Sequence, residues 1–404
     1  GEGVDIIWRG RRFVDVSHSA AKAGESRRMD LRAAVRRAQR NPRRHWTSVA
    51  QGLTASWTPM VHPSFTVAEG QTVFGIGSCF ARNIEEYVEK IGIHAPMSHF
   101  SVPQAEIPYH RRTNGILNKF TPASIAQELR WTESIYERDG CVRPDDVANL
   151  AYDVDGGYID NGLCGFFPVS WERLLARRQE VFDTIVKVFS ADCVVITLGL
   201  IEAWYDRERG RYIEEAPIGN KNMMRQLADS VVFKRLTYEQ CREAVQAAID
   251  CIRRHNPDAN IMLTTSPVPM KATFTDDDVV LANMQSKSML RTVAGVISED
   301  NTNVDYFPSY EIIKEKFGHE AYEGDWRHVK DQYVGYVVKA MLDHYADTQR
   351  QGGWTEIARN AKMAEADFAM ARNRYQEADR RVERWTTSSG RATSTRTTRK
   401  YWDG

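Results

Sequence analysis

Four short runs of unbroken apolar and β-branched residues, each next to a helix-length amphipathic segment, constrain this chain more than any other feature. They are TVFGIG from Thr72, CVVITLGL from Cys193 to Leu200, NIMLTTSP from Asn260 to Pro267, and NVDYFPSY from Asn303 to Tyr310. A strand with one wet face alternates polar and apolar residues, whereas a strand buried on both faces does not. After the first run, SCFARNIEEYVEKIG sets Phe80, Ile84, Tyr87, Val88 and Ile91 at helical spacing. The second follows WERLLARRQEVFDTIVKVF and the fourth follows ANMQSKSMLRTVAGVIS. The third follows TYEQCREAVQAAIDCIRRHNP, where Thr237 and Gln240 suit a capping box and Pro257 closes the helix. The alternation predicts a doubly wound α/β fold, its mostly parallel sheet covered by helices on both faces and joined by right-handed crossovers.

Charge divides the chain where the hydropathy does. The 404 residues carry no net charge, but residues 1–50 hold 12 basic and 5 acidic side chains and residues 371–404 hold 9 and 4. An acidic body of net charge −12 therefore lies between basic ends of +7 and +5. The expected organisation is a basic N-terminal extension (1–60), the α/β domain (61–348), a polar helical segment (349–385) and a basic Ser/Thr/Arg-rich tail (386–404) too poor in apolar residues to pack. Within the first of these, Leu31, Val35 and Ala38 lie at helical spacing among arginines, which suits a solvated face, a strap on the acidic body, or a contact with an anionic partner. No run approaches the roughly 20 apolar residues of a membrane span, and the first residues lack a signal peptide's apolar core, so the chain reads as cytoplasmic. Its six cysteines include no C-x-x-C pair, against a zinc ribbon or a dense disulfide framework.

In open α/β sheets ligands sit at the carboxyl ends of the strands. At the first such end stand Gly77, Ser78 and Cys79: a glycine permitting a tight turn, then two nucleophile-type residues where a helix begins. Free backbone N–H groups and the helix dipole would lower a thiol's pKa there and help hold an oxyanion. The same three residues also read as a turn, an N-cap serine and a small core cysteine. Late in the body, Asp325 precedes His328 by three residues, so a carboxylate can hold one imidazole nitrogen while the other activates a nucleophile. A capped turn with a surface histidine fits that pair as well. His94, His99 and His110 lie in a loop-rich stretch without metal-ligand spacing and read as ordinary loop residues. No phosphate-binding glycine motif follows a strand, and neither a cofactor nor a metal is implied.

The segments FGIGSCFARNIE, TLGLIEAW, TTSPVPMKATF, VDYFPSYEII and DWRHV together resemble the GSCFA-domain family, a bacterial branch of the SGNH hydrolase superfamily, over residues 74–329. The resemblance implies an SGNH-like fold and an esterase or O-acyltransferase acting on an acylated carbohydrate or related small molecule, with an acyl donor as a further partner. It puts Cys79 at the nucleophile position, Ser78 beside it, His328 as base and Asp325 as its orienting partner. Where the superfamily has Gly-x-Asn-Asp, this chain has Gly199-Leu200-Ile201-Glu202, without the oxyanion-hole asparagine. Asn118 is the candidate replacement donor, because the family often carries an Asn before such a segment. Gly199, Glu202 and Ser266 are the other candidate substrate contacts; Glu202 also fits a turn cap, and Ser266 a wall of the pocket. The rival expectation, motivated by the missing asparagine, is an inactive scaffold of the same fold whose basic ends bind an anionic partner.

Overall fold

The four unbroken runs form the central sheet of a computed structural model that describes residues 29–53, 57–109, 112–165, 167–215, 221–346 and 353–389. In chain order the elements are α1 (Leu31–Arg40), α2 (Trp46–Leu53), β1 (Val73–Gly77), α3 (Cys79–Glu89), α4 (Pro122–Tyr136), α5 (Pro144–Ala148), β2 (Ala151–Val154), β3 (Gly157–Asp160) and α6 (Trp171–Ile185). There follow β4 (Cys193–Leu198), β5 (Glu202–Asp206), β6 (Arg211–Ile213), α7 (Lys221–Leu227), β7 (Val231–Arg235), α8 (Tyr238–His255), β8 (Asn260–Thr265), α9 (Val279–Asp300), β9 (Val304–Tyr306), α10 (Asp331–Tyr345) and α11 (Gly353–Ser389), with short helical turns elsewhere. The central sheet runs β1-β4-β8-β9 with every pairing parallel.

Strand periodicity divides the core into two layers. Phe74, Ile76, Val194, Ile196, Ile261 and Leu263 face one side, where Leu129 of α4, Val181 of α6, Ile249 of α8 and Leu290 and Val293 of α9 meet them. Val73, Val195 and Met262 face the other, against Ile84 and Val88 of α3 and Val334 and Val337 of α10. Each fully buried aliphatic side chain is worth about 2 kcal/mol, so both faces must be covered for the sheet to form. The apolar positions expected of α3 are all buried, and the Thr237–Gln240 capping box at the head of α8 is present.

Two smaller sheets lie outside the predicted alternation: the antiparallel pair β2-β3, and the antiparallel trio β6-β5-β7. Their strands are three to five residues long and mix charged with apolar residues, as in EAWYD and RYI, so no run marks them.

The basic helix α1 buries none of its residues. The polar segment after the body forms α11, which extends to Ser389, beyond the expected limit of 385, and docks through Ile357, Ala361 and Ala364. Phe368 stacks edge-on against Phe317, Tyr333 donates to Asp367 Oδ2 (2.9 Å), and Asn360 donates to the Tyr87 hydroxyl (2.9 Å). Gly335 permits the close approach, since a Cβ there would lie 2.7 Å from that of Asn360. Residues 390–404, most of the expected tail, lie outside the described residues, as do residues 1–28 of the expected extension. Among the described residues no helix is long and apolar enough to cross a membrane.

Candidate functional site

Gly77 ends β1 with φ +127, a conformation open to glycine, and a Cβ there would lie 2.2 Å from the Thr197 carbonyl oxygen. This close approach brings the end of β1 against the end of β4: Ser78 N–H donates to Thr197 O (3.1 Å), and the Ser78 and Thr197 hydroxyls are 3.3 Å apart. Ser78 is the N-cap residue of α3 by position, yet its side chain caps nothing and is buried. Cys79 opens the helix and keeps partial exposure.

The thiol does not behave as the helix N-terminus alone predicts. Burial pushes the Cys79 pKa up, while Lys287, Arg327, Arg112 and the residue's own backbone N–H pull it down. Desolvation prevails because the first turn of α3 packs into the second core layer, where Phe80 is fully enclosed. The expectation of a thiol lowered at its helix start is therefore corrected: burial outweighs the nearby cations and the backbone N–H that pull the value down.

The first of those cations is a residue that sequence reasoning missed. Lys287 of α9 is 1% exposed, and its ammonium donates to the carbonyls of Gly199 and Val268, both at 2.8 Å. It thereby ties the chain leaving β4 to the chain leaving β8. Burial lowers its pKa to about 7, Cys79 pulling the other way and Arg327 adding to the fall. Among the described residues no carboxylate pairs with it. Lys287 sits in the helical pattern QSKSML, and the signal that could have found it is a lysine on the apolar stripe of a helix whose neighbours Ser286 and Leu290 are buried.

Asp325 and His328 lie in the loop between β9 and α10. Asp325 Oδ2 is 2.5 Å from His328 Nδ1, and Asp325 Oδ1 accepts the backbone N–H groups of Arg327 and His328, both at 3.0 Å. Desolvation is the largest single influence and pushes the Asp325 carboxyl up, but these hydrogen bonds and the His328 charge together overcome it and hold the carboxyl down at about 2. Tyr322 anchors the loop by donating to Pro267 O (3.0 Å), and Trp326 between the pair takes φ +59, unusual for a bulky residue, with its ring largely exposed. Arg327 is close enough to Cys79 and Lys287 for its charge to act on both. Among the described residues, no hydrogen bond joins His328 to Cys79, and the His328 side chain is 58% exposed.

Of the other expected contacts, Asn118, Gly199 and Ser266 lie at neighbouring strand ends, where Leu200 N–H donates to Phe120 O and Ser266 N–H to Leu198 O, both at 2.8 Å, and Glu202 turns to a loop. Asn118 is buried beside the turn, because Lys119 N–H donates to Gly77 O (2.8 Å), and its Oδ1 has no hydrogen-bond partner. The segment is fixed from below, where the Lys119 ammonium meets Glu128 at 2.9 Å and Glu128 meets Arg178 at 2.7 Å, all three enclosed. Gly199 is needed for packing, since a Cβ would lie 2.7 Å from Phe120 O. Glu202 fits its alternative reading as a turn cap: Thr273 Oγ1 donates to one carboxylate oxygen (2.6 Å) and Phe274 N–H to the other (3.1 Å), so the residue clamps a loop. The Ser266 hydroxyl folds back to accept Val268 N–H (3.3 Å). A cavity of about 260 Å³ over Gln127, Trp131 and Arg211 is lined by Glu128 and Arg178 and by none of the expected site residues.

Comparison with known proteins adds one match. The GSCFA family model matches residues 72–341, from β1 into α10. No curated protein matches the chain.

Proposed function

This chain belongs to the GSCFA family, and on that footing we propose that it is an acyl-transfer enzyme of SGNH-like fold, working through Cys79, His328 and Asp325 on an acylated carbohydrate or related small molecule. Cys79 attacks an ester or thioester carbonyl; a carbon–sulfur bond forms as the carbonyl π pair moves to oxygen, and His328 Nε2 takes the thiol proton. Asp325 holds Nδ1 and stabilises the imidazolium. Collapse of the tetrahedral species expels the alcohol or thiol, which takes the proton back from His328, and leaves an acyl-enzyme. Water then makes the protein an esterase, and a sugar hydroxyl makes it an O-acyltransferase.

The observation that carries this reading is the formed Asp325–His328 pair in a loop that is tied to the chain leaving β8 and carries Arg327, whose charge reaches Cys79. A thiol raised by burial needs a cation or a base at the moment of attack, and Lys287 and His328 supply one each. For the oxyanion, the backbone N–H of Cys79 at a helix N-terminus and the buried Asn118 amide are the donors proposed in place of the absent motif asparagine. Because His328 and Cys79 are not hydrogen-bonded, bound substrate must bring them together.

Intact-mass spectrometry after exposure to a panel of acyl esters and acyl thioesters tests the proposal. The wild-type chain is expected to gain the mass of one acyl group, Cys79→Ala to gain none, and Ser78→Ala to keep the adduct. An adduct that persists in Cys79→Ala and disappears in Ser78→Ala makes Ser78 the nucleophile. No adduct with any donor, together with rapid iodoacetamide labelling of a folded chain, refutes acyl transfer and favours a binding scaffold.

A further inference from the structure

At the opposite end of α3 from Cys79, two histidines and one carboxylate converge on a single point. The helix has 11 residues, so Glu89 lies about 15 Å from Cys79 along its axis. Glu89 Oε1 is 2.9 Å from His99 Nε2 and 3.4 Å from His94 Nδ1, and the two imidazole rings lie face to face with centroids 5.4 Å apart. One donor atom from each of the three residues fits within a span of 4.8 Å.

Each of these residues is fixed by its backbone. His94 continues the edge of β1, where Val73 N–H donates to His94 O (2.8 Å) and His94 N–H to Gln71 O (3.1 Å). His99 ends the short 3-10 turn Pro96–His99, which Phe100 N–H closes on Met97 O. Glu89 is held by Ala95 N–H, which donates to Oε1 at 2.5 Å. The convergence is thus built by three separate local structures.

Pairing of charges accounts for one histidine on Glu89 and not for both. Among the described residues no lysine or arginine pairs with Glu89, and two imidazoles facing each other across one oxygen cannot both be protonated without repulsion. A second trio, Glu133, Glu137 and His255, shows the contrast: there Arg254 already grips Glu133 through two hydrogen bonds of 2.8 and 2.7 Å. A cation occupies that carboxylate, whereas the place of one at Glu89 is left to the histidines.

We infer that Glu89, His94 and His99 form a zinc-class metal site that clips the C-terminal end of α3 to the loop following it. A tetrahedral ion with bonds of about 2.0–2.1 Å spaces its ligand atoms about 3.3 Å apart, close to the 2.9 and 3.4 Å separations present. Two imidazoles and one carboxylate suit Zn²⁺ better than Ca²⁺ or Mg²⁺, which favour all-oxygen shells. With His94 and His99 side chains 53% and 61% exposed, the fourth position faces solvent. The site lies apart from Cys79, so the inference stands or falls separately from the proposed acyl transfer.

The test is calorimetric titration of the full, chelator-treated chain with Zn²⁺ alone, beside His94→Gln, His99→Gln and Glu89→Gln. The wild-type chain is expected to bind one equivalent that each variant loses or binds at least about 10-fold more weakly. Side-chain ¹⁵N spectra of the wild-type histidines give a readout independent of variant folding: the His94 and His99 ring signals should shift on zinc addition while His255 stays in place. Equal stoichiometry and affinity in all four proteins, or unmoved His94 and His99 signals, overturns the inference.

Discussion

Replacing Lys287 with methionine removes an ammonium that is wholly enclosed while keeping an unbranched chain of similar reach. Burial takes this amine from 10.5 in the unfolded chain to about 7 in the native one. Below both values each state holds the proton, and the group adds no pH dependence. Between them the unfolded chain binds one proton more than the native chain, so native stability rises with pH across that window. The slope is about 1.4 kcal/mol per pH unit, which between pH 7 and 9.5 accumulates to about 3 kcal/mol. The methionine variant lacks this rise, and it also strands the Gly199 and Val268 carbonyls, a pH-independent cost of about 1–3 kcal/mol each. Urea unfolding of both proteins at several pH values from about 6.5 to 9.5 measures the difference directly. The wild-type advantage should be level near the acid end and widen steadily above pH 7. Two parallel profiles would show that Lys287 keeps its proton in the native state, refuting the claim that burial outweighs the attraction of Cys79.

Glu85, fully enclosed with its pKa raised to about 7 by burial against the pull of Arg82, forms a 3.1 Å ion pair with that arginine; Glu85→Ala should cost about 3–5 kcal/mol in urea melts by leaving a buried guanidinium unpaired. Gly77→Ala should fail to accumulate as folded protein or lose several degrees of melting temperature, because the added carbon meets the Thr197 carbonyl. Asp325→Asn should reduce turnover of any acyl donor about 100-fold or more while leaving the melting temperature nearly unchanged, since the pair lies at the surface; equal loss of activity and stability would assign Asp325 a structural role only.

The central strands were legible because a strand buried on both faces leaves an uninterrupted apolar run, as in CVVITL, and the layering of the helices follows from it. The Ser78–Cys79 turn and the Asp325–His328 pair were legible for a different reason: each is local, two chemically informative residues within four positions. Lys287 was not, since its burial depends on two strand ends, at Gly199 and Val268, brought to its helix by the folded sheet. The loop that Glu202 holds was hidden in the same way; its partners Thr273 and Phe274 are 71 and 72 residues distant in sequence. The thiol's environment was half legible: the helix start is written in the sequence, but the burial that outweighs it belongs to the packed core.

Part of what covers the apolar surface of the body lies beyond the stretch that defines the family. The GSCFA match ends at residue 341, yet the aromatic surface made by Phe317, Tyr333 and Tyr336 is roofed by α11, which starts at Gly353. A gene fragment trimmed to the homologous stretch would leave that surface wet, with Ile357, Ala361 and Phe368 no longer covering it. Such a fragment is expected to associate with itself and to precipitate on expression. Its failure would say nothing about the chemistry at Cys79, because the missing helix packs on Phe317 and Tyr333 and carries none of the residues proposed to act there.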